Sequence, residues 1–250
     1  MMQSLKLFMN DIKIIIKDKK NILLLCLLTL IIATISLSFC YLFQNDKTSI
    51  MEQFQTVSKI TDKTLFISYV IYIFSFIIFS TYPFIIGIVI ISYIKEFGEL
   101  ELMVLFPINR KAFFIEKILS VFTLSYAFCL VGIIITSIIQ QLILSTSLFL
   151  NKYALFYTFV SLPCWIFFVS CTAILISSLA KDTKEANQKS LILPFVLYIL
   201  AQALFILKID FFSKLIIFIP LVISIVGSTL IFIYQRNKIT IEKILYNINN

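Results

Sequence analysis

Thr64–Ile94 reads TLFISYVIYIFSFIIFSTYPFIIGIVIISYI, and Lys95–Lys117 follows at once as KEFGELELMVLFPINRKAFFIEK. The first stretch carries no charge and outlasts a bilayer core, which is ~30 Å thick and takes roughly 20 helical residues to cross. The second packs four acids, four bases, a glycine and a proline against its end. A membrane helix that only had to turn around would use a few loop residues there. That much chemistry at a membrane surface suggests docking to something soluble.

Working outward, five more runs are free of charge: Asn21–Asn45, Ile118–Asn151, Tyr153–Ala180, Ser190–Leu207 and Leu215–Gln235. The shortest, Ser190–Leu207, reaches about 27 Å as a helix. Charged residues make up 14% of the 250 residues, against about 25% in soluble domains. Mean hydropathy is +1.03. No single aqueous core can hide so much apolar surface, so lipid is the solvent. In lipid only helices satisfy their backbone bonds within one segment, and the runs lack the polar–apolar alternation of barrel strands. The sequence therefore predicts an all-α membrane protein. It forms one domain over 1–250 with six transmembrane helices near 22–43, 66–94, 118–145, 154–179, 190–207 and 215–235. The first run lacks a small-residue exit site, since Phe39–Phe43 is bulky, and is expected to remain as a span.

Lys and Arg counts set the expected orientation. Fifteen lie in 1–20, 95–117, 181–189 and 236–250; six lie in 46–63, at 152 and in 208–214. The richer side is read as cytoplasmic, with both termini on it. This asymmetry accounts for most of the +8 net charge without any nucleic acid. Residues 1–20 place Leu5, Phe8, Met9, Ile12, Ile15 and Ile16 at three- and four-residue steps, with Lys6, Asn10, Lys13 and Lys17 opposite. That pattern predicts an amphipathic helix in the membrane interface. Lys13, Lys17, Lys19 and Lys20 suit anionic lipid in a generic way. Phe54, Val57 and Ile60 suggest a short surface helix in 46–63.

Absences exclude whole classes. There is no histidine, which removes Ser–His and Cys–His catalysis and histidine metal sites. Four glycines cannot build a phosphate loop. No charge lies within the six runs, which argues against proton or sodium coupling. The lack of histidine and of any intramembrane acid also argues against an intramembrane enzyme, a third class. Gln140, Gln141, Gln202, hydroxyls and tyrosines remain as membrane polar groups. They serve either a greasy, amphipathic cargo or simply neighbouring helices. Cys26, Cys40, Cys129, Cys164 and Cys171 all lie in apolar runs and read as small free hydrophobes. Pro83, Pro163, Pro194 and Pro220 are candidate kinks.

Within 95–117, Glu96, Glu99 and Glu101 favour the positive end of a helix. Leu100, Leu102, Met103 and Phe106 supply apolar knobs. Pro107 ends that helix. Another begins near Asn109 and runs through Lys117 into the third span. A push on this segment would move the second and third spans together.

The pattern closely resembles the cytosolic coupling segment of type-2 ABC transporter permeases: an E-x-G-x-L-E-x-L stretch, a proline, a polar–basic pair and a later lysine. Glu96, Gly98, Leu100, Glu101, Leu102, Pro107, Asn109, Arg110 and Lys117 occupy those places. Glu99 departs from the threonine more common there. The second loop is also similar, through Ser177–Ala180, Lys181, Glu185, Ala186, Gln188 and then Pro194. The resemblance implies a permease with no catalysis of its own and no cofactor, in a bacterial plasma (inner) membrane. It implies pairing with a second copy or paralogue and with separate ATPase subunits. Glu96, Gly98, Glu99, Leu100, Glu101, Leu102, Phe106, Pro107 and Arg110 would make the ATPase contact. The short Lys208–Lys214 connection argues against the polysaccharide-exporting branch. Drug, peptide or bacteriocin export and self-immunity remain as cargo classes. A non-transporting scaffold or small channel is the alternative, and it would need no ATPase.

Overall fold

The computed structural model describes residues 2–17, 19–45, 75–96, 110–145, 155–180, 183–190, 196 and 221–233. The described residues are helical, with no strand among them. In chain order they form α1 (Met2–Lys17), α2 (Lys19–Asn45), α3 (Thr81–Glu96), α4 (Arg110–Leu144), α5 (Leu162–Leu179) and α6 (Thr183–Ser190). A shorter apolar helix, α7, spans Leu221–Ile233.

Among the described residues, four stretches are long and apolar enough to cross a bilayer: Lys19–Ser38, Ser75–Lys95, Phe113–Leu144 and Tyr157–Leu179. They coincide with the first four expected spans. The fifth, 190–207, lies outside the described residues except for Ser190 and Val196. Of the sixth, 215–235, the described residues cover only α7, which is shorter than a span. The expected surface helix in 46–63 lies outside them as well.

The pattern of burial is that of a protein dissolved in lipid. Along α2 the buried stripe is Leu25, Thr29, Ile32, Ser36 and Cys40, while Leu23, Leu27, Leu30, Ile31 and Leu37 are uncovered. On α4 the interior takes Ser120, Ser125, Cys129, Thr136, Ser137 and Gln140, and the outside takes Ile115, Leu119, Val131, Ile134, Ile138 and Leu142. Small and hydroxylated residues let helices approach closely, whereas branched aliphatics gain nothing by leaving lipid. Most hydroxyls bond a carbonyl three or four residues back in their own helix. Examples are Thr29 to Leu25, Ser36 to Ile32, Thr136 to Ile133 and Ser170 to Ile166.

A few polar contacts cross between helices and fix their register. The hydroxyls of Thr29 on α2 and Tyr82 on α3 lie 3.0 Å apart, and the Tyr82 ring leans on Phe128 of α4 with centroids 5.9 Å apart. Gly132 lets α4 meet the Phe79 ring and Ile32. Cys40 packs against Ile139 and Ile143. These pairs show α2 and α4 running parallel, with α3 opposed to both. Trp165 Nε1 of α5 donates to Ser80 Oγ at 2.8 Å, Gly87 faces Ala173, and Lys95 reaches Ala180, so α3 and α5 are parallel to each other. The start of α4 and the ends of α3 and α5 therefore share one end of the bundle with α1 and α6.

Two of the four candidate kinks fall in described residues. A proline ring collides with the carbonyl four residues earlier, here Phe79. The helix is interrupted at Ser80, with Ser75–Phe79 before it and α3 after it. Ahead of Pro163, residues Tyr157–Ser161 form a π turn, in which the Leu162 N–H bonds Tyr157 O. The Tyr126 hydroxyl donates to Thr158 O at 3.1 Å. Pro194 and Pro220 lie outside the described residues. All five cysteines are free; Cys26 sits on the uncovered face of α2.

Candidate coupling face

Of the residues expected to contact an ATPase, Gly98, Glu99, Leu100, Glu101, Leu102, Phe106 and Pro107 lie outside the described residues. The backbone places Glu96 at the last position of α3 and Arg110 at the first of α4. The site is therefore defined by its two anchors, where the chain leaves α3 and where it enters α4.

At the first anchor, Lys95 lies in the last turn of α3. Its Nζ donates to the carbonyls of Ser177, at 2.9 Å, and Ala180, at 2.5 Å. The last carbonyls of a helix have no intrahelical donor, and they carry the negative end of its dipole. A lysine there satisfies both needs at once. Ala180 adopts an extended conformation and ends α5. Ile88 of α3, Ala180 and Ala186 of α6 then pack together. The two loops that looked separate in the sequence are thus joined at their roots. On α6 the Glu185–Lys189 pair, 2.7 Å apart and half exposed, adds the modest support of an i,i+4 contact in water.

At the second anchor, Lys117 is only 1% exposed. Its Nζ lies 2.5 Å from Asp11 Oδ1 of α1 and 5.2 Å from the centre of the Phe113 ring. Ser120 Oγ lies 3.0 Å from the other carboxylate oxygen, Asp11 Oδ2, and 3.0 Å from Glu116 O in its own helix, and its one proton is shared between them. A buried ion pair is tolerated when both charges are paired and their remaining valences are met. Phe113, Lys117 and Ser120 follow at i, i+4 and i+7, so one face of α4 meets α1.

The sequence reading missed Asp11. On a helical wheel it flanks the apolar stripe, one turn before Ile15, and both residues are buried. Ile16, assigned to the same stripe, is 59% exposed. The apolar arc of α1 is therefore divided: one flank packs on the protein and the other is uncovered. The signal available was an acid interrupting Phe8, Ile12 and Ile15. Nothing in the local sequence named its partner, 106 residues away.

A cleft of about 310 Å³ opens between α4, α5 and α7, lined by Phe122, Pro163, Cys164, Phe167, Ser224 and Ser228 among others. Its serines bond within their own helix, Ser224 to Leu221 O and Ser228 to Ile225 O. The cleft consequently offers mainly apolar contact. Among the described residues no cluster of side chains could hold a metal. Gln140 is buried and Gln141 exposed; Gln202 lies outside the described residues.

Comparison with protein-family models, with curated proteins and with solved structures finds no match to this chain.

Proposed function

We propose that this chain is the membrane-spanning, non-catalytic subunit of a type-2 ABC exporter. It has six spans and both termini on the cytoplasmic face of a bacterial plasma membrane. It pairs with a second copy or a paralogue and takes its energy from separate ATPase subunits. The cargo class is an amphipathic drug, peptide or bacteriocin, and self-immunity is one use of such export.

The observation that carries this reading is the anchoring of 95–117. Lys95 ties the root of the segment to the end of α5, and Lys117 ties its far root to α1. A load applied between those roots reaches four helices directly. Glu96, Gly98, Glu99, Leu100, Glu101, Leu102, Phe106, Pro107 and Arg110 are the residues proposed to receive it.

The test is a search for an ATP-binding-cassette gene beside this one and co-expression with its product, followed by co-purification and transport-linked ATP hydrolysis; absence of any such partner would remove the reading. Interface energy concentrates in a few anchors, so Leu102→Ala and Glu101→Lys should each weaken assembly or uncouple transport. Gly98→Val should block docking while leaving membrane insertion intact. The lone chain should not hydrolyse ATP. Wild-type behaviour of all three variants at equal expression would remove the coupling role from this segment. Turnover by the lone, contaminant-free chain would end the reading altogether.

A further inference from the structure

We infer that Asp11 is a positioning residue: through Lys117 and Ser120 it latches α1 onto α4, so that the two helices move as one body when the adjoining segment is loaded. The functional half of this inference rests on the reading above, whereas the latch itself does not. Both oxygens of the Asp11 carboxylate have a donor within reach, Oδ1 from Lys117 and Oδ2 from Ser120, whose single proton is shared with Glu116 O, and two points of attachment fix orientation as well as position. Lys117 lies one helical repeat below Arg110, the residue at which the described part of α4 begins. The root of α4 and the seat of α1 are therefore the same two turns of helix.

An apolar pair would hold two helices together as well as this one does, since burying charge offsets most of the Coulombic gain. What an ion pair adds is selectivity of geometry. Apolar surfaces slide over one another with little change in energy, but Asp11 one turn out of register would leave two buried charges unpaired. The latch also sets the rotation of α1. With Asp11 and Ile15 turned inward, Ile16 is left on one uncovered edge and Asn10, Lys13 and Lys17 on another. A roll of the helix would put lysines against the protein.

The experiment uses the full chain in lipid nanodiscs, with its five cysteines replaced and spin labels at Lys13→Cys and Ile134→Cys, both exposed positions. Wild type should give one narrow distance distribution. Asp11→Asn and Lys117→Gln should each lose that single peak, and the charge swap D11K/K117D should restore it. Ser120→Ala keeps both charges and should broaden the peak partially. It carries the test if the charge variants do not fold. A distribution as narrow as wild type in Asp11→Asn, or in Ser120→Ala where that variant stands in, overturns the latch. So does a swap variant as broad as the single ones.

In the assembled complex, Asp11→Asn should keep ATPase co-purification and lose transport-linked hydrolysis, with recovery in the swap. Loss of co-purification and hydrolysis together would mark a merely structural role and overturn the positioning claim. If wild type binds no ATPase, only the exporter reading falls, and the distance measurement still decides the latch.

Discussion

The Tyr126 hydroxyl of α4 donates across the helix interface to the carbonyl oxygen of Thr158, 3.1 Å away in the π turn that leads into α5. Within the turn, the Leu162 N–H goes to Tyr157 O, and Pro163 has no N–H to offer. Neither serves the Thr158 carbonyl, and in lipid no water would. A side chain from another helix supplies the donor. Tyr126→Phe removes it while keeping the ring that stacks on Phe122, 5.9 Å between centroids.

The expected loss is about 0.5–1.5 kcal/mol, the net contribution of one intramolecular hydrogen bond. It should be read as a lower midpoint in detergent-driven unfolding. Pro163→Ala returns an N–H to the helix, so the same substitution should cost less in that background. Equal costs in both backgrounds, in a double-mutant cycle, would mean that the proline is not the reason for the bond.

Lys95→Met keeps the aliphatic stem and removes the donor to Ser177 and Ala180. Hydrogen bonds to a charged group contribute ~1.5–3 kcal/mol, and this one sits between α3 and the end of α5. The expected result is faster amide exchange through α6 and the last turn of α5, with the exposed Lys13→Ala as a silent control. Unchanged exchange in Thr183–Ser190 would show that α6 is held by Ile88 and Ala186 alone.

Gly132 of α4 faces Phe79, in the turn of helix just before α3. A Cβ there would come within 2.9 Å of Phe79 Cε1, and the Phe79 ring is wholly buried. Gly132→Val should destabilise by about 1–3 kcal/mol through overpacking. Phe79→Leu in the same chain should recover part of that loss, because it vacates the space the valine needs. Additive costs would place the strain somewhere other than this pair.

Orientation is tested by labelling engineered cysteines from outside intact cells, in a chain stripped of its own five. Positions Ser58 and Lys214 should react; Lys111 and Lys184 should not. The start of α4 and α6 share one end of the bundle, so Lys111 and Lys184 should behave alike. Reaction at Lys111 would invert the topology drawn from the lysine and arginine counts.

The helices were legible because lipid leaves the chain few choices. Runs such as Asn21–Asn45 and Ile118–Asn151 must satisfy their own backbone, and α2 and α4 fill most of each. Pro163 announced an irregularity, though not that it would take the form of a π turn or that Tyr126 would complete it. Partner choice was the illegible part. Asp11 drew no reading of its own, and Lys117 read only as the lysine that leads into the third span, since periodicity describes one helix at a time and burial of a charge depends on a second. Lys95 likewise looked like the boundary of a loop, and its carbonyl partners lie more than eighty positions away. The arc of α1 was assigned as one apolar face, yet packing against α4 divided it between Ile15 and Ile16.

The hydroxyl-rich interior and aliphatic exterior of α2 and α4 also bear on how this protein could be re-engineered for water. A soluble analogue would leave Thr29, Ser36, Ser125, Cys129 and Thr136 untouched, because the helix interfaces are already polar enough and closely fitted. The rim needs exchange, including Leu23, Leu27, Leu30, Ile31 and Leu37 on one helix and Ile115, Leu119, Val131, Ile134, Ile138 and Leu142 on the other, replaced by glutamate and lysine and paired at i,i+4 where the spacing permits, as at Leu23 with Leu27 and Ile134 with Ile138. The bundle would then change its solvent without repacking its centre.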